Sequence, residues 1–545
     1  MKSKIFDNLR DYNKDLFVRD IIAGIIVAIV SIPISLSIAI ASGISPEKGL
    51  YTSIVAGIFM AIFGSGKLSI GGMSIAFITI APAITASYGT NGIVVTGLLA
   101  GIILILMGVF KLGTLVKLIP YAITLGFTSA IALILLVSQI NEFFGFQIEN
   151  LPYDFIPRLI LFIKNSNNIN NFASFIGILT IVIYFVFKKL QLKFYVPYSI
   201  VAIVVTSIIT AIFRLPINTI GSIYGDLKNQ FINWQLPVLS IPIIRNLIPH
   251  AITLAAIISM ESLLASIKSD EVTKEVYDSN GEVFALGISN FCSIVCGGLP
   301  VSVSYPSTDI NIKSGSRTNL SGIFHSLFIA LALSIFIPLI RFIPLATLSA
   351  IMIIISIEIL DIKSIMRFIS NSTKSDKWIF IATCFLTIVF DLVIAIEFGF
   401  ISTALIFLGK LSDNVNIRKW KRFEELSEEE RKQHSIDFPK GIEIIDIEGP
   451  LYYASANKIT SMDIEKDTKV VIYRMSSVTS LDAYVAHALR IKVANIKLSG
   501  AEVIFSHVQE KPYNMMLKEG IVDDVGEGNI KSNIKDALNY AISKL

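Results

Sequence analysis

One carboxylate, Glu261, stands in an apolar stretch and is preceded by uncharged residues 246–260. A charged group at membrane depth is costly unless it is paired, protonated or facing water. Glu261 is therefore either part of a functional site or a structural carboxylate bonded to helix N-termini. Two breaks in the apolar sequence could supply such N-termini. In the first half, Gly64-Ser65-Gly66 ends one span, and Gly71-Gly72-Met73-Ser74 interrupts the uncharged run from Leu68 to Phe110. In the second half, Gly297-Gly298-Leu299-Pro300 and then Val301-Ser302-Val303-Ser304-Tyr305-Pro306 interrupt the run from Val283 to Thr308. Backbone broken inside hydrocarbon must be packed within protein or line a wet cavity. Half-helices that begin there direct unpaired N–H groups and partial positive charge at the space between them, which suits an anion. Matching breaks in two halves point to the binding site of a transporter.

The elements that must position these residues are membrane spans. The 545-residue chain is 53% hydrophobic and 16% charged, with a mean hydropathy of +0.69, which excludes a soluble domain of this size. Spans are expected at 21–41, 49–64, 73–87, 92–110, 115–140, 172–187, 196–212, 248–267, 283–297, 304–315, 320–340, 344–361, 376–391 and 393–409. These fourteen divide seven plus seven, and the third and tenth are the short, broken ones. Residues 165–171 and 214–247 read as loops. Lys2, Lys4, Arg10, Lys14 and Arg19 before the first span set the N-terminus on the cytoplasmic side of the cell membrane. The net charge of +4 averages a membrane domain with a charged tail. Cys292, Cys296 and Cys384 lack ligand partners and read as inert thiols, so no metal or other cofactor is expected. No nucleotide-binding loop occurs, and a nucleic-acid partner is not expected.

Composition changes near residue 411. Arg418-Lys419-Trp420-Lys421-Arg422, followed by acidic residues, reads as a linker over 411–436 held at lipid headgroups. From residue 437 strands are expected at Ile442–Ile447, Lys469–Met475 and Glu502–Ser506. Helices are expected at Asp482–Leu498, Lys511–Glu519 and Ile534–Lys544, giving a small α/β domain.

The first span, with Asp20, Gly24, Ser31, Pro33, Ser35 and Pro46, and the stretch from Met260-Glu261-Ser262 through Gly297-Gly298-Leu299-Pro300 to Ser314-Gly315, resemble the SulP family of anion permeases. The tail resembles the STAS domain that ends them. The resemblance implies a polytopic helical membrane protein with a seven-plus-seven inverted repeat. Residues 1–19 form an N-terminal arm, 20–410 the transport domain, and 437–545 the STAS domain, usually in a homodimer. It also implies that backbone N–H groups of the third and tenth spans, around Ile75 and Ser304, face the anion, and that Ser74 points a hydroxyl into the site. By the same resemblance Ser304 and Tyr305 can donate hydroxyls there, with Ser35 a nearby polar group. It further implies that Glu261 lies near the substrate, where some members use an acidic residue for sodium or proton coupling. The sequence departs from the family in four places. Met73 replaces a proline and Ile34 a glutamine. Ser307 stands where many members carry an arginine, with Asp309 close behind. In the STAS loop after Asp482, Tyr484 replaces the phosphorylatable hydroxyl, so regulation there by Ser/Thr phosphorylation is not expected.

Losing a cation and adding a carboxylate is a large change, because one unit charge at about 4 Å is worth roughly 4 kcal/mol at an effective dielectric near 20. If Asp309 faces the site, cation symport is favoured. If it pairs with Lys313 one turn on, the argument weakens. The expected function is secondary transport of sulfate, bicarbonate or a small carboxylate, coupled to H+ or Na+. An uncoupled exchanger, a nucleobase–cation symporter of the same architecture and a STAS-linked membrane sensor are the alternatives.

Overall fold

A computed structural model describes residues 8, 12–116, 119–146, 148, 151–152, 154–190, 197–225, 237–274, 277–390, 394, 398–399, 401–402, 405, 415–420 and 438–545. Two compact units divide the chain, Met1–Phe400 and Ile401–Leu545. The first begins with α1 (Lys14–Ala41), whose start is fixed by the Asn13 side chain accepting the Leu16 N–H at 2.9 Å. Helix α2 (Pro46–Phe63) opens on a proline, where the missing N–H has no helical partner to lose. The chain then forms a three-residue strand, β1 (Gly71–Met73), and resumes as α3 (Phe77–Val109). The longer helices that follow are α4 (Tyr121–Ser138), α5 (Phe155–Lys164), α6 (Asn171–Leu190) and α7 (Tyr198–Phe213).

The second half repeats helix, helix, strand, helix as α8 (Ile241–Thr273), α9 (Ser279–Val295), β2 (Val301–Val303) and α10 (Tyr305–Lys313). Helices α11 (Leu320–Ile340), α12 (Leu345–Leu360), α13 (Ile362–Asn371) and α14 (Lys374–Val389) follow. Strands β1 and β2 pair antiparallel, with Gly71 opposite Val303, Gly72 opposite Ser302 and Met73 opposite Val301, as an inverted repeat requires. Gly71 is needed there, because a Cβ on it would lie 2.3 Å from the Ala56 carbonyl oxygen of α2.

Six helices among the described residues are long and apolar enough to cross a bilayer, and Tyr198–Phe213 and Leu320–Phe336 are shorter apolar helices. The expected spans 73–87 and 92–110 are joined in α3, interrupted at Gly89, whose φ of 64° suits glycine. Helix α8 starts at Ile241 inside the expected loop 214–247, because Ser240 caps it and Pro242 fits its first turn. Residues Ile220–Tyr224 of that loop form a short helix, while 226–236 lie outside the described residues. The final expected span, 393–409, falls mostly outside them too. Helices α5 and α13 are amphipathic pieces too short to span, which a search for long apolar runs passes over.

Packing sorts the helices into two groups. One contains α1, α2, α3, α8, α9, α10 and α11, and the other α4, α6, α7, α12 and α14, each packed mainly within itself.

The second unit is a five-stranded sheet in the order β3 (Asn416–Lys419), β4 (Ile442–Glu448), β5 (Val470–Ser477), β6 (Glu502–Ser506) and β7 (Ile530–Lys531). The pairs from β4 to β7 are parallel, and β3 is an antiparallel edge. Helices α15 (Ala483–Leu498) and α16 (Glu510–Lys518) lie over one apolar face, and α17 (Ile534–Ile542) covers the other. The strand β3 corrects the expectation of a linker over 411–436. Lys419 pairs with Glu443, and the Trp420 indole N–H donates to Asp446 at 3.4 Å. Asp446 also holds the Arg474 guanidinium at 2.7 Å. Part of the basic cluster is thus engaged within the sheet, and residues 421–437 lie outside the described residues.

Candidate functional site

Breaking two spans leaves backbone groups that the bilayer cannot satisfy, and the two halves satisfy each other's. Ser74 N–H donates to Pro300 O at 3.1 Å, and Ser304 N–H to Ile70 O at 2.9 Å. The Asn290 side chain of α9 clasps Val301 from both sides, accepting its N–H at 2.9 Å and donating to its carbonyl at 2.8 Å. Thr308 Oγ1 accepts the Ile70 N–H at 3.1 Å, and the Asn311 amide donates to Leu68 O at 2.9 Å. The starts of α3 and α10 are held on either side of one strand pair.

Glu261, on α8, reaches the first of these starts. Its carboxylate accepts the Ser74 hydroxyl at 2.7 Å and the Ala76 N–H at 2.9 Å. The negative charge therefore sits on the positive end of α3. Both roles weighed for Glu261 in the sequence share this position, since a carboxylate bonded to a helix N-terminus occupies donors that an anion would use. Ser74 is fully buried and gives its hydroxyl to Glu261.

Beside Glu261 lies a cavity of about 180 Å³ between the two helix groups. Ile75, Ser302, Ser304 and Tyr305 line one wall, and Thr124 and Thr128 of α4 line the other. Glu358 and Asp361 also face it, and no lysine or arginine does among the described residues. Ser304 caps α10 through its hydroxyl, 3.4 Å from the Ser307 N–H. Ser304, Ser307 and Ser31 form a hydroxyl chain with successive distances of 2.9 Å. Ser307, where the resemblance led to the expectation of an arginine, thus supplies hydrogen bonds without charge.

Two candidate residues sit apart from this cavity. Ser35 donates to its own helix at Ser31 O (2.7 Å) and lies 2.6 Å from Ser53 Oγ. Asp309 pairs with Lys313 at 2.5 Å and lines a second, neighbouring cavity together with Ile34.

The sulfate permease family matches residues 17–383, and the STAS domain matches residues 434–537. The chain belongs to the sulfate permease family. It is 29% identical to the putative sulfate transporter YvdB of Bacillus subtilis, over 95% of this chain and 96% of that protein. Identity to the bicarbonate transporter BicA of Synechocystis is 25%, over 96% and 94% of the two chains. The fold is similar to that of murine Solute Carrier 26 family member A9 in its inward-facing state, with a TM-score of 0.86 and 16% identity, covering 99% of this chain and 94% of the other. The transmembrane domain of a cyanobacterial BicA matches 70% of this chain and 98% of its own length, at a TM-score of 0.60 and 26% identity.

In this permease the sequence reading missed Thr124, Thr128, Ser302, Glu358 and Asp361 as lining residues. The threonines carry no signal, since hydroxyls in membrane helices are usually bonded to their own turn, as Thr128 is to Thr124 O at 2.9 Å. Glu358, a carboxylate near the end of an apolar helix, did carry one.

Proposed function

We propose that this permease is a secondary transporter of a small anion (sulfate, bicarbonate or a small carboxylate) that works by alternating access and is coupled to H+ or Na+. The observation that carries the reading is the position of Glu261. A carboxylate occupies the donors at the start of α3, beside a cavity that Asp361 and the Lys188-paired Glu358 also line, with no lysine or arginine among its described lining residues. An anion entering that space is repelled unless negative charge is neutralised, and a co-transported cation does this. A proton needs one carboxylate, whereas sodium needs several oxygen ligands. The cavity between two separately packed helix groups supports movement of one group against the other. This reading puts the permease in the cytoplasmic membrane as a homodimer, with both termini inside.

Proteoliposomes loaded with imposed proton or sodium gradients test it. Inward gradients are expected to drive anion accumulation, and Glu261→Gln is expected to abolish that drive. Uptake that ignores both gradients and survives the substitution would make the chain an uncoupled exchanger. Anion binding without flux would make it a sensor.

A further inference from the structure

The second cavity, of about 370 Å³, also lies between the two helix groups, and it shares Tyr305 and Glu358 with the first. Its chemistry is different. Lys188 from α6 and Lys313 from α10 face it, together with the phenols of Tyr184, Tyr198 and Tyr305. Both lysines hold a carboxylate: Lys188 is 3.3 Å from Glu358, and Lys313 is 2.5 Å from Asp309.

Both lysine side chains are partly exposed, 48% for Lys188 and 62% for Lys313. A lysine ammonium carries three N–H donors, so one carboxylate does not saturate it. The Lys188–Glu358 pair is about half exposed on both sides, and pairs of that kind are weak, so an incoming anion can share or displace it at small cost. The first cavity is lined by hydroxyls and carboxylates with no lysine or arginine among its described residues, whereas this one adds two lysines to its phenols and to the carboxylates Asp309 and Glu358.

We infer that the second cavity is a docking station for a small oxyanion, held by Lys188 and Lys313 with hydroxyl donors around it, before the anion passes Tyr305 towards Glu261. The inference rests on the anion-transport reading and adds to it a capture site with named cations. It also gives Asp309 a role distinct from coupling, that of holding Lys313 in place across one helical turn.

The test is uptake kinetics of the full chain in proteoliposomes, with labelled sulfate, bicarbonate and succinate as probes. Lys188→Gln and Lys313→Gln are each expected to raise KM by roughly tenfold while leaving kcat within twofold, as loss of electrostatic capture would. The corresponding arginine variants should keep the KM of the unaltered protein. Raising ionic strength with an inert salt should raise KM in the unaltered protein, and less so in the glutamine variants. This salt dependence provides a readout even if a variant fails to fold. Glutamine variants whose KM stays within twofold, or a KM flat against salt, would overturn the docking station and leave the transport reading standing. Absence of uptake for all three probes in the unaltered protein would overturn both.

Discussion

The two broken spans share an architecture but satisfy their helix starts in different ways. At the start of α3, a charged group from another helix takes the donors: Glu261 accepts from Ser74 and Ala76. At the start of α10, the cap is neutral and local: Ser304 serves its own helix, backed by Ser307 and Ser31. A carboxylate on a helix N-terminus is held by charge-assisted hydrogen bonds, roughly twice as strong as neutral ones. Hydroxyls can rotate and exchange partners freely. The first half is thus suited to hold a charge that a cation can titrate or balance, and the second to offer donors to a neutral or transient partner. A structural repeat has been given two electrostatic characters by a handful of side chains.

The contrast breaks most sharply at Glu261. Glu261→Gln keeps the shape and removes the charge. Gradient-driven accumulation is expected to fall about a hundredfold, the equivalent of roughly 3 kcal/mol, as read in proteoliposome uptake. If both halves were neutral frameworks, the variant would transport as well as the unaltered protein.

Next in size is the backbone. Gly71→Ala drives a methyl into the Ala56 carbonyl, whereas a Cβ at Gly72 meets Ser304 Cβ at 3.2 Å. Gly71→Ala should destabilise the permease by about 2–3 kcal/mol and Gly72→Ala by less than about 1 kcal/mol, measured by thermal unfolding in detergent. Equal losses would mean that the strand pair is not wedged against α2.

The hydroxyls refine the comparison. Ser74→Ala removes a hydrogen bond to a charge and should reduce coupled uptake by ~10- to 100-fold, on a scale of about 1.5–3 kcal/mol. Ser304→Ala removes a neutral cap worth about 0.5–1.5 kcal/mol and should reduce uptake no more than ~10-fold. The reverse order would show that charge is handled at α10 instead.

The smallest expected effect lies in the STAS domain. Tyr484 is 56% exposed beside Tyr453, and the loop is held by Asp482, which accepts the Val485 N–H at 2.8 Å and the Tyr453 N–H at 2.6 Å. Tyr484→Ser is expected to leave uptake and stability unchanged, within twofold and about 0.5 kcal/mol.

Much of the fold could be read along the chain because long apolar runs, glycine and proline are local signals. The two breaks, most helix positions and the sheet strands β4, β5 and β6 follow from them. Strand β3 could not be read, since Asn-Ile-Arg-Lys carries a single apolar residue and is an exposed edge strand defined by its pairing with β4. The candidate site was legible in part. Glu261 stands out because an isolated carboxylate in an apolar run is rare, but its partners do not, since Ser74 and Ala76 lie in the opposite half of the sequence. Asp309 had two open roles in the sequence, and the structure places it on Lys313 at the wall of the second cavity.

By itself, then, the sequence determined that the chain crosses a membrane, that it breaks twice at matching places, and that one isolated carboxylate, Glu261, lies in an apolar run. Hydrophobicity, backbone geometry and the cost of desolvating charge are properties of short stretches, and they fix these features without reference to the rest of the chain. The tertiary structure alone decided which donors Glu261 takes, that Ser307 joins a neutral hydroxyl chain, and that Lys188 and Lys313 face one cavity while no lysine or arginine faces the other among the described residues. Those outcomes depend on distances between residues hundreds of positions apart, set only when the two halves pack against each other.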